Sequence, residues 1–153
     1  MSPAWEPIRA YWQDKSTENE RKLRSFLALE TTKFQYSHGV RDVSHISPDA
    51  WASDQATLDR PGNDAIQLAL FYDYQNNVKR YDSWHAKLRE FHPPVLAVWG
   101  KNDPFFLPVG AEAYKRDVPE AEIHLLDTGH FALEEDGDVI AEYILNFLRK
   151  NLK

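Results

Sequence analysis

The chain has 153 residues, of which 42% are hydrophobic and 13% aromatic, with no cysteine and a formal net charge of -6. This length and apolar content allow one folded domain, while the lack of cysteine excludes disulfides, thiol nucleophiles and cysteine-ligated metal sites. The acidic balance predicts no nucleic acid partner, and without a signal-like or membrane-spanning apolar run we expect a cytoplasmic protein with no membrane partner.

The first 92 residues are predicted to form helices only. Long stretches there lack glycine and proline, and their apolar residues recur at steps of three and four positions. This is the period of a helix with one buried face. We expect one helix over 18–36, a second from Pro48 to a stop at Pro61, and a third over 63–91 with a break near Asp82.

The pattern changes after the two prolines at positions 93 and 94. The apolar run that follows them is typical of a strand buried on both faces of a parallel sheet. Beyond it, strand and helix alternate, with strands over 95–99 and 122–126 and helices over 108–116 and 138–152. Two βα units in tandem predict a parallel α/β sheet. Because two strands leave both sheet edges open, we expect the end of a larger fold.

Two short loops with chemistry-bearing residues follow the predicted strands. The loop WGKNDP places Asp103 after the first strand, and the loop DTGHF places His130 after the second. Each alone is typical of a turn or of a surface histidine. The carboxyl ends of parallel strands meet at one edge of a sheet, so together they match the acid and base of a hydrolase triad in the order nucleophile, acid, base. The acidic run over 134–136 is expected to be a solvated turn before the last helix.

The residues around these loops resemble a known family. The segments PPVLAVWGKNDPFF and AEIHLLDTGHFALEEDGDVIAEYILNFL are similar to the C-terminal part of α/β-fold hydrolases, in particular the branch of epoxide hydrolases and haloalkane dehalogenases. Earlier segments, among them SPDAW and DRPGNDAIQLALFYDY, look like the helical cap that such enzymes insert before their last two strands. The resemblance implies an α/β fold class, with a helical cap (lid) over 1–92 and a C-terminal βαβα segment of the core over 93–153.

The same resemblance implies roles for individual residues. Asp103 is similar to the triad acid and His130 to the triad base of a hydrolase that acts on a small apolar epoxide, haloalkane or ester through a covalent intermediate, without a cofactor. The six histidines form no HExxH or HxH pair, so no metal is expected. Four aromatic residues are candidates for substrate contact, three as counterparts of cap tyrosines that hydrogen bond an epoxide oxygen, with packing between helices as the competing interpretation: Tyr36, Tyr72, Tyr74 and Phe131.

The sequence departs from this family at the nucleophile. The family's nucleophile lies on a strand-to-helix elbow written G-x-Nu-x-G, yet no two of the six glycines stand four positions apart. We therefore expect the chain to supply cap, acid and base but no nucleophile, whether aspartate or serine, with an N-terminal half or self-association completing the sheet. The alternative is a truncated, non-catalytic fragment that at most binds a partner or an apolar ligand.

Overall fold

The computed structural model describes residues 2–152. Helices occupy the part before the two prolines, and two strands with flanking helices follow. Among the helices of the described residues, none combines the length and the apolarity that a membrane span needs. In chain order the elements are α1 (Glu6–Gln13), α2 (Thr17–Arg24), α3 (Leu29–Ser37), α4 (Pro48–Leu58), α5 (Asn63–Asp73), α6 (Gln75–Phe91), β1 (Leu96–Gly100), α7 (Pro108–Glu112), α8 (Tyr114–Asp117), β2 (Glu122–Leu126) and α9 (Ala132–Asn151).

The predicted single helix over 18–36 is wrong. It divides into α2 and α3, because Ala28 between them is extended, with ψ at 147°. The hydroxyl of Ser25 donates to the carbonyl of Lys22, and the hydroxyl of Thr31 donates to the carbonyl of Ser25. In a continuous helix these two carbonyls would accept hydrogen bonds from main-chain amides. The hydroxyls compete for them, which favours the break.

The predicted break near Asp82 is also misplaced, since the helix is interrupted at Tyr74 instead. There the side-chain amide of Gln75 donates to the carbonyl of Tyr72 at 2.9 Å and competes with the main-chain pattern. Asp82 is exposed inside α6. An aspartate in a helix interior costs less than about 1 kcal/mol, so it does not stop a helix by itself.

The parallel strand pair is confirmed. β1 pairs with β2 in parallel, from Leu96 opposite Glu122 to Gly100 opposite Leu126. The first strand is shifted by one residue from the prediction, and the second has the predicted bounds. The two-strand sheet with flanking helices, preceded by helices alone, has the predicted fold class.

The helices around the sheet differ in detail from the prediction. The helix expected over 108–116 divides into α7 and α8 at Ala113, and α9 begins at Ala132, earlier than predicted. A kink at Asp136, with φ at -118° and ψ at 24°, separates the first turn of α9 from the remainder. This first turn contains the acidic residues that the sequence placed in a solvated turn.

The main core lies among α1, α2 and α5. Its buried members are Ile8, Tyr11, Leu23 and Leu68, and the partly buried aromatic residues packed on them are Trp5, Trp12, Phe26, Phe71 and Tyr72. Trp5 also connects this core to the loop after β1, because its indole Nε1 donates to the carbonyl of Phe105 at 3.0 Å. The helical layer is thereby fixed to the loop that carries Asp103.

The end of β1 passes so close to the loop before His130 that only glycine fits at position 100. A Cβ on Gly100 would lie 2.0 Å from the carbonyl oxygen of Gly129. We predict that Gly100→Ala lowers the free energy of unfolding by about 1–3 kcal/mol, since either loop has to move. Urea denaturation of the chain measures this change.

Gly110 provides the matched control. It lies in α7, and a Cβ there would have no neighbour within 4 Å. Gly110→Ala should leave the free energy of unfolding unchanged or raise it by up to about 1 kcal/mol, because alanine favours the helix. Equal stability of the two variants would contradict the close approach at Gly100.

Candidate active site

The loops that carry Asp103 and His130 lie side by side at the carboxyl edge of the sheet. Main-chain pairing continues past the two strands, with the amide of Lys101 donating to the carbonyl of Leu126 at 2.8 Å and that of Asn102 to the carbonyl of Thr128 at 3.1 Å. This continued ladder sets the distance between the loops. It brings the two predicted site residues together.

Both carboxylate oxygens of Asp103 are engaged. Oδ1 accepts hydrogen bonds from the main-chain amides of Phe105 at 2.7 Å and Phe106 at 3.0 Å, the turn geometry that aspartate favours. Oδ2 lies 2.9 Å from Nδ1 of His130. A carboxylate accepts only from a protonated nitrogen, so Nδ1 carries the proton and Nε2 is left for proton exchange.

The surroundings of Asp103 favour its ionised form. Burial would raise the pKa of this carboxyl, but the hydrogen bonds from His130 and from the amides of Phe106 and Phe105 outweigh burial and lower that pKa below its ordinary value. A carboxylate that stays charged at neutral pH stabilises an imidazolium on the histidine that it orients. The arrangement therefore suits His130 to take up a proton through Nε2.

His130 forms part of the wall of an apolar cavity of about 310 Å³. Its side chain is 19% exposed, and its ring stacks on that of Phe106, with the two planes at 15° to each other. Helices α1 and α5 supply the facing wall. The lining residues are Ala4, Trp5, Ile8, Phe26, Gln35, Leu70, Phe71, Tyr74, Phe105, Phe106 and His130. Mostly apolar walls with a few polar groups are typical of small-molecule sites.

Tyr74 is the predicted cap tyrosine that lines this cavity. Its hydroxyl lies 3.2 Å from that of Tyr81. Burial, together with the hydrogen bond to Tyr81, raises the pKa of Tyr74 to about 12. The phenol is therefore neutral at physiological pH and able to donate a hydrogen bond.

The remaining candidates for substrate contact occupy other positions. Tyr36 is buried, its hydroxyl donates to Oδ2 of Asp54 at 2.6 Å, and its ring stacks on that of Phe131 at 4.2 Å. Phe131 also meets the edge of the His130 ring at 4.8 Å. Tyr72 packs against Tyr11 beside the core, away from the lining of the His130 cavity. Substrate contact at these residues stays a prediction.

Sequence reasoning missed the partner of the acidic run after His130. The predicted solvation of the acidic run is wrong for two of its three residues. Glu134 is exposed, but the Glu135 side chain is 1% exposed and that of Asp136 is 10% exposed, and both carboxylates face Arg41. Arg41 precedes them by more than ninety positions. No local sequence pattern could indicate this pairing.

Within residues 2–152, no three histidine, aspartate or glutamate side chains lie close enough together to hold a metal ion. The hydrogen bond between Asp103 and Nδ1 of His130 leaves Nε2 of His130 free for proton transfer.

Comparison with known proteins adds an independent observation. The family described as the alpha/beta hydrolase fold matches residues 10–137. An uncharacterised hydrolase of Saccharomyces cerevisiae is 39% identical over 150 residues, which cover 96% of this chain and 52% of the yeast protein.

Further relatives carry more specific names. A 2-hydroxy-6-oxononadienedioate/2-hydroxy-6-oxononatrienedioate hydrolase of Klebsiella pneumoniae is 25% identical over 144 residues, 94% of this chain and 45% of that protein. An Escherichia coli protein of the same name is 31% identical over 75 residues, 48% of this chain and 26% of its own. The chain spans about half the length of the yeast and Klebsiella relatives. None of these three names specifies an epoxide or a haloalkane.

The lowered pKa of Asp103 predicts a loss of stability in acid. Because the pKa of the folded state lies below that of the unfolded chain, ionised Asp103 stabilises the fold above about pH 4, and this contribution disappears as the pH falls through the folded-state pKa. We expect Asp103→Asn to be less stable than the parent by about 1–2 kcal/mol at pH 7. Urea denaturation between pH 7 and pH 2.5 should show this difference shrinking below pH 4.

The exposed carboxylate of Asp138 provides the control for loss of one negative charge. Asp138→Asn should change the free energy of unfolding at pH 7 by less than about 0.5 kcal/mol. A gap between parent and Asp103→Asn that stays constant from pH 7 to pH 2.5 would show that the Asp103 carboxylate does not stabilise the fold in its ionised form.

Proposed function

Because the chain belongs to the α/β-hydrolase family, we propose that it carries the general base and its orienting acid in a hydrolase for small, uncharged, apolar molecules. The observation that supports this proposal most is the Asp103–His130 hydrogen bond of 2.9 Å at the wall of an apolar cavity. A histidine that is oriented on one nitrogen and faces an apolar site on its other side is the arrangement that a hydrolytic base needs.

The proposed mechanism has two steps. A nucleophile, aspartate or serine, from residues outside this sequence attacks the substrate carbon and forms a covalent ester as the bond from that carbon to the leaving oxygen or halide breaks. A serine gives its proton to Nε2 of His130, which passes it to the leaving alkoxide. An aspartate carboxylate has no proton to lose, so a halide leaves as the anion, and the oxygen of an opened epoxide stays on the substrate and takes up a proton from solvent. His130 Nε2 then removes a proton from water, whose oxygen attacks the ester carbonyl and releases the product and the nucleophile. The imidazolium formed on His130 is stabilised by the Asp103 carboxylate until the proton is returned. This chain contributes the acid and base of that sequence, and the helices α1 and α5 contribute the cavity wall.

The lining of the cavity favours a neutral substrate. No lysine or arginine is among its lining residues within the described part of the chain. A dioate, named as substrate in the bacterial relatives, would bring two carboxylates against a lining whose polar side chains from this chain, Trp5, Gln35, Tyr74 and His130, include no lysine or arginine, and burying unpaired charge is costly. Esters, epoxides and haloalkanes carry no charge, and they remain the proposed substrate classes.

Tyr74 is the proposed substrate contact among the tyrosines, and Phe131 is proposed to act through His130. The neutral Tyr74 hydroxyl lines the cavity and can donate to an oxygen of the substrate. Phe131 contacts the His130 ring and restricts it from the side. For Tyr36, whose hydroxyl is bound to Asp54, the proposal is limited to holding Phe131 by stacking, and for Tyr72 to supporting the helices that form the wall.

Affinity labelling of the 153-residue chain tests the site without requiring a nucleophile. Phenacyl bromide is neutral and aromatic; its CH₂ carbon would bond to Nε2 of His130 as bromide leaves. We expect saturable alkylation of His130, faster than that of His45 by at least about tenfold, although the His45 side chain is 69% exposed and that of His130 only 19%. Mass spectrometry of the digested chain measures both rates.

Asp117→Asn is the matched control for Asp103→Asn. Asp117 also binds a histidine, since Nδ1 of His85 lies against its Oδ2, but His85 is not among the residues that line the His130 cavity. Asp103→Asn should lower the labelling rate at His130 by about tenfold or more, while Asp117→Asn leaves it within about twofold. Labelling that follows exposure alone would overturn the proposed site.

Turnover is the second test, made on the polypeptide that carries this sequence in its source, recovered with an antibody against α9. We expect it to hydrolyse phenyl acetate, styrene oxide or a benzyl halide and to leave the dioate intact. Asp103→Asn in that polypeptide should lower kcat by about 10⁴-fold. The mass of the polypeptide under denaturing and native conditions shows whether the nucleophile is part of the same chain. Purification without any hydrolysis of these substrates would favour the alternative of a non-catalytic binding protein.

A further inference from the structure

The segment 38–42, which follows α3 in the helical layer, forms a junction with the two loops of the site. We call it the junction segment. Its Arg41 guanidinium donates to the carbonyl of Asp127 at 2.9 Å and, through two nitrogens, to both carboxylate oxygens of Asp136 at 3.0 and 2.6 Å. One side chain from the helical layer thus holds the chain on both sides of His130.

Glu135 binds the main chain of the junction segment. The Glu135 carboxylate accepts hydrogen bonds from the main-chain amides of Arg41 at 2.9 Å and Asp42 at 3.2 Å. Because the side chains of Glu135 and Asp136 are almost fully buried, their charges need a partner there. The fork of a guanidinium can satisfy a carboxylate and a carbonyl at once, whereas an ammonium cannot reproduce its geometry.

Close main-chain packing fixes the same junction from the other side. A Cβ on Gly129 would lie 2.1 Å from the carbonyl oxygen of His38. Gly39 has φ at 82°, and a Cβ there would lie 2.7 Å from Cβ of Asn102. The side-chain amide of Asn102 donates through Nδ2 to the carbonyl of Gly39 at 2.8 Å and to Oδ1 of Asp127 at 3.1 Å. The junction segment therefore contacts both the loop that carries Asp103, called the acid loop, and the loop that carries His130, called the base loop.

We propose that Arg41 is a positioning residue for His130, acting through the segment between Asp127 and Asp136. This inference rests on the proposed function, since it concerns how the base is aimed at the cavity. By fixing both ends of the base loop, Arg41 keeps His130 Nε2 directed at the substrate while Asp103 holds Nδ1. Because Arg41 belongs to the helical layer, that layer sets the orientation of His130.

The cavity itself should be independent of Arg41. Its lining includes Gln35 from α3 but no residue of the junction segment. Loss of the Arg41 contacts should therefore alter the reactivity of His130 and leave the affinity of the cavity for an apolar molecule unchanged. This separation distinguishes a positioning role from general destabilisation.

The test uses phenacyl bromide labelling of the 153-residue chain in Arg41→Lys and Arg41→Gln. We expect the maximal labelling rate at His130 to fall by about tenfold or more in both variants, since small displacements of a reacting group cost this much or more. The reagent concentration at half-maximal rate should stay within about twofold of the parent, for lack of any change in the lining. A maximal rate equal to or above that of the parent in either variant would overturn the proposal.

Arg24→Gln is the matched control. Arg24 is 40% exposed, against 44% for Arg41, and it also binds two carboxylates, those of Glu20 and Asp64. It lies at the end of α2, remote in sequence and in its contacts from the loops of the site. The His130 labelling kinetics of Arg24→Gln should equal those of the parent, and an equal loss there would show that any arginine pair has this effect.

The triple variant R41Q/E135Q/D136N separates positioning from charge neutralisation. It removes the buried carboxylates together with their cation, so no unpaired charge is left even if R41Q alone folds poorly. We expect it to regain the melting temperature that R41Q loses, yet to keep the low maximal labelling rate. Recovery of that rate in the triple variant would mean that Arg41 only neutralises buried charge, and would overturn the proposal.

A second readout does not depend on ligand binding. In ¹H–¹⁵N NMR spectra, the Nδ1 proton that His130 donates to Asp103 should exchange with water about tenfold faster or more in R41Q than in the parent. Faster exchange without saturable labelling in the parent would support positioning by Arg41 and contradict the proposed function. Saturable labelling with unchanged exchange and labelling rate in R41Q would support the proposed function and overturn the role of Arg41.

Discussion

The site depends on how the carboxylate of Asp103 divides its two oxygens. Oδ1 is taken by the amides of Phe105 and Phe106, which belong to its own loop, so the orientation of the carboxylate is set locally. Oδ2 is then directed at Nδ1 of His130 on the neighbouring loop. The narrow passage at Gly100, where no Cβ fits beside Gly129, keeps the two loops at this distance. The sheet thus sets the distance between Asp103 and His130 at which their hydrogen bond forms.

Local signals were enough to predict the sheet and the adjacency of the two residues. The strand β1 lies in an apolar run over 95–99 bounded by Pro94 and Gly100, and the ends of parallel strands necessarily meet at one edge. The breaks at Ala28 and Tyr74 were not predictable by periodicity, because they depend on side-chain hydrogen bonds that compete with the helix. The spacing of apolar residues shows which face of a helix is buried. It does not reveal a break when the helices on either side bury the same face.

The junction with Arg41 shows a different limit of sequence reasoning. Arg41 and Asp136 are 95 positions apart, and neither lies in a recognisable motif. An acidic run beside a helix N-terminus is favourable whether it is solvated or paired, so its composition does not separate the two states. Only the fold brings the guanidinium to it. The helical layer thus lines the cavity, through residues such as Trp5 and Phe71, and also holds the loop that carries His130.

A second histidine–aspartate pair in the chain shows why proximity alone does not make a base. Asp117 is buried and binds Nδ1 of His85 through one oxygen, while its other oxygen accepts from Arg89 at 2.5 Å. Burial opposes ionisation of Asp117, but Arg89 and then His85 lower its pKa below the ordinary value.

The two pairs differ in what holds the second carboxylate oxygen. At Asp117 it is the guanidinium of Arg89, a full cation that partly offsets the charge of the carboxylate. At Asp103 it is two neutral amides, which orient the carboxylate without cancelling its charge. His85 also lines a cavity, one of about 480 Å³, so enclosure does not separate the pairs either. The Asp103 carboxylate, oriented by neutral donors alone, therefore supports the proposal that His130 rather than His85 is the base.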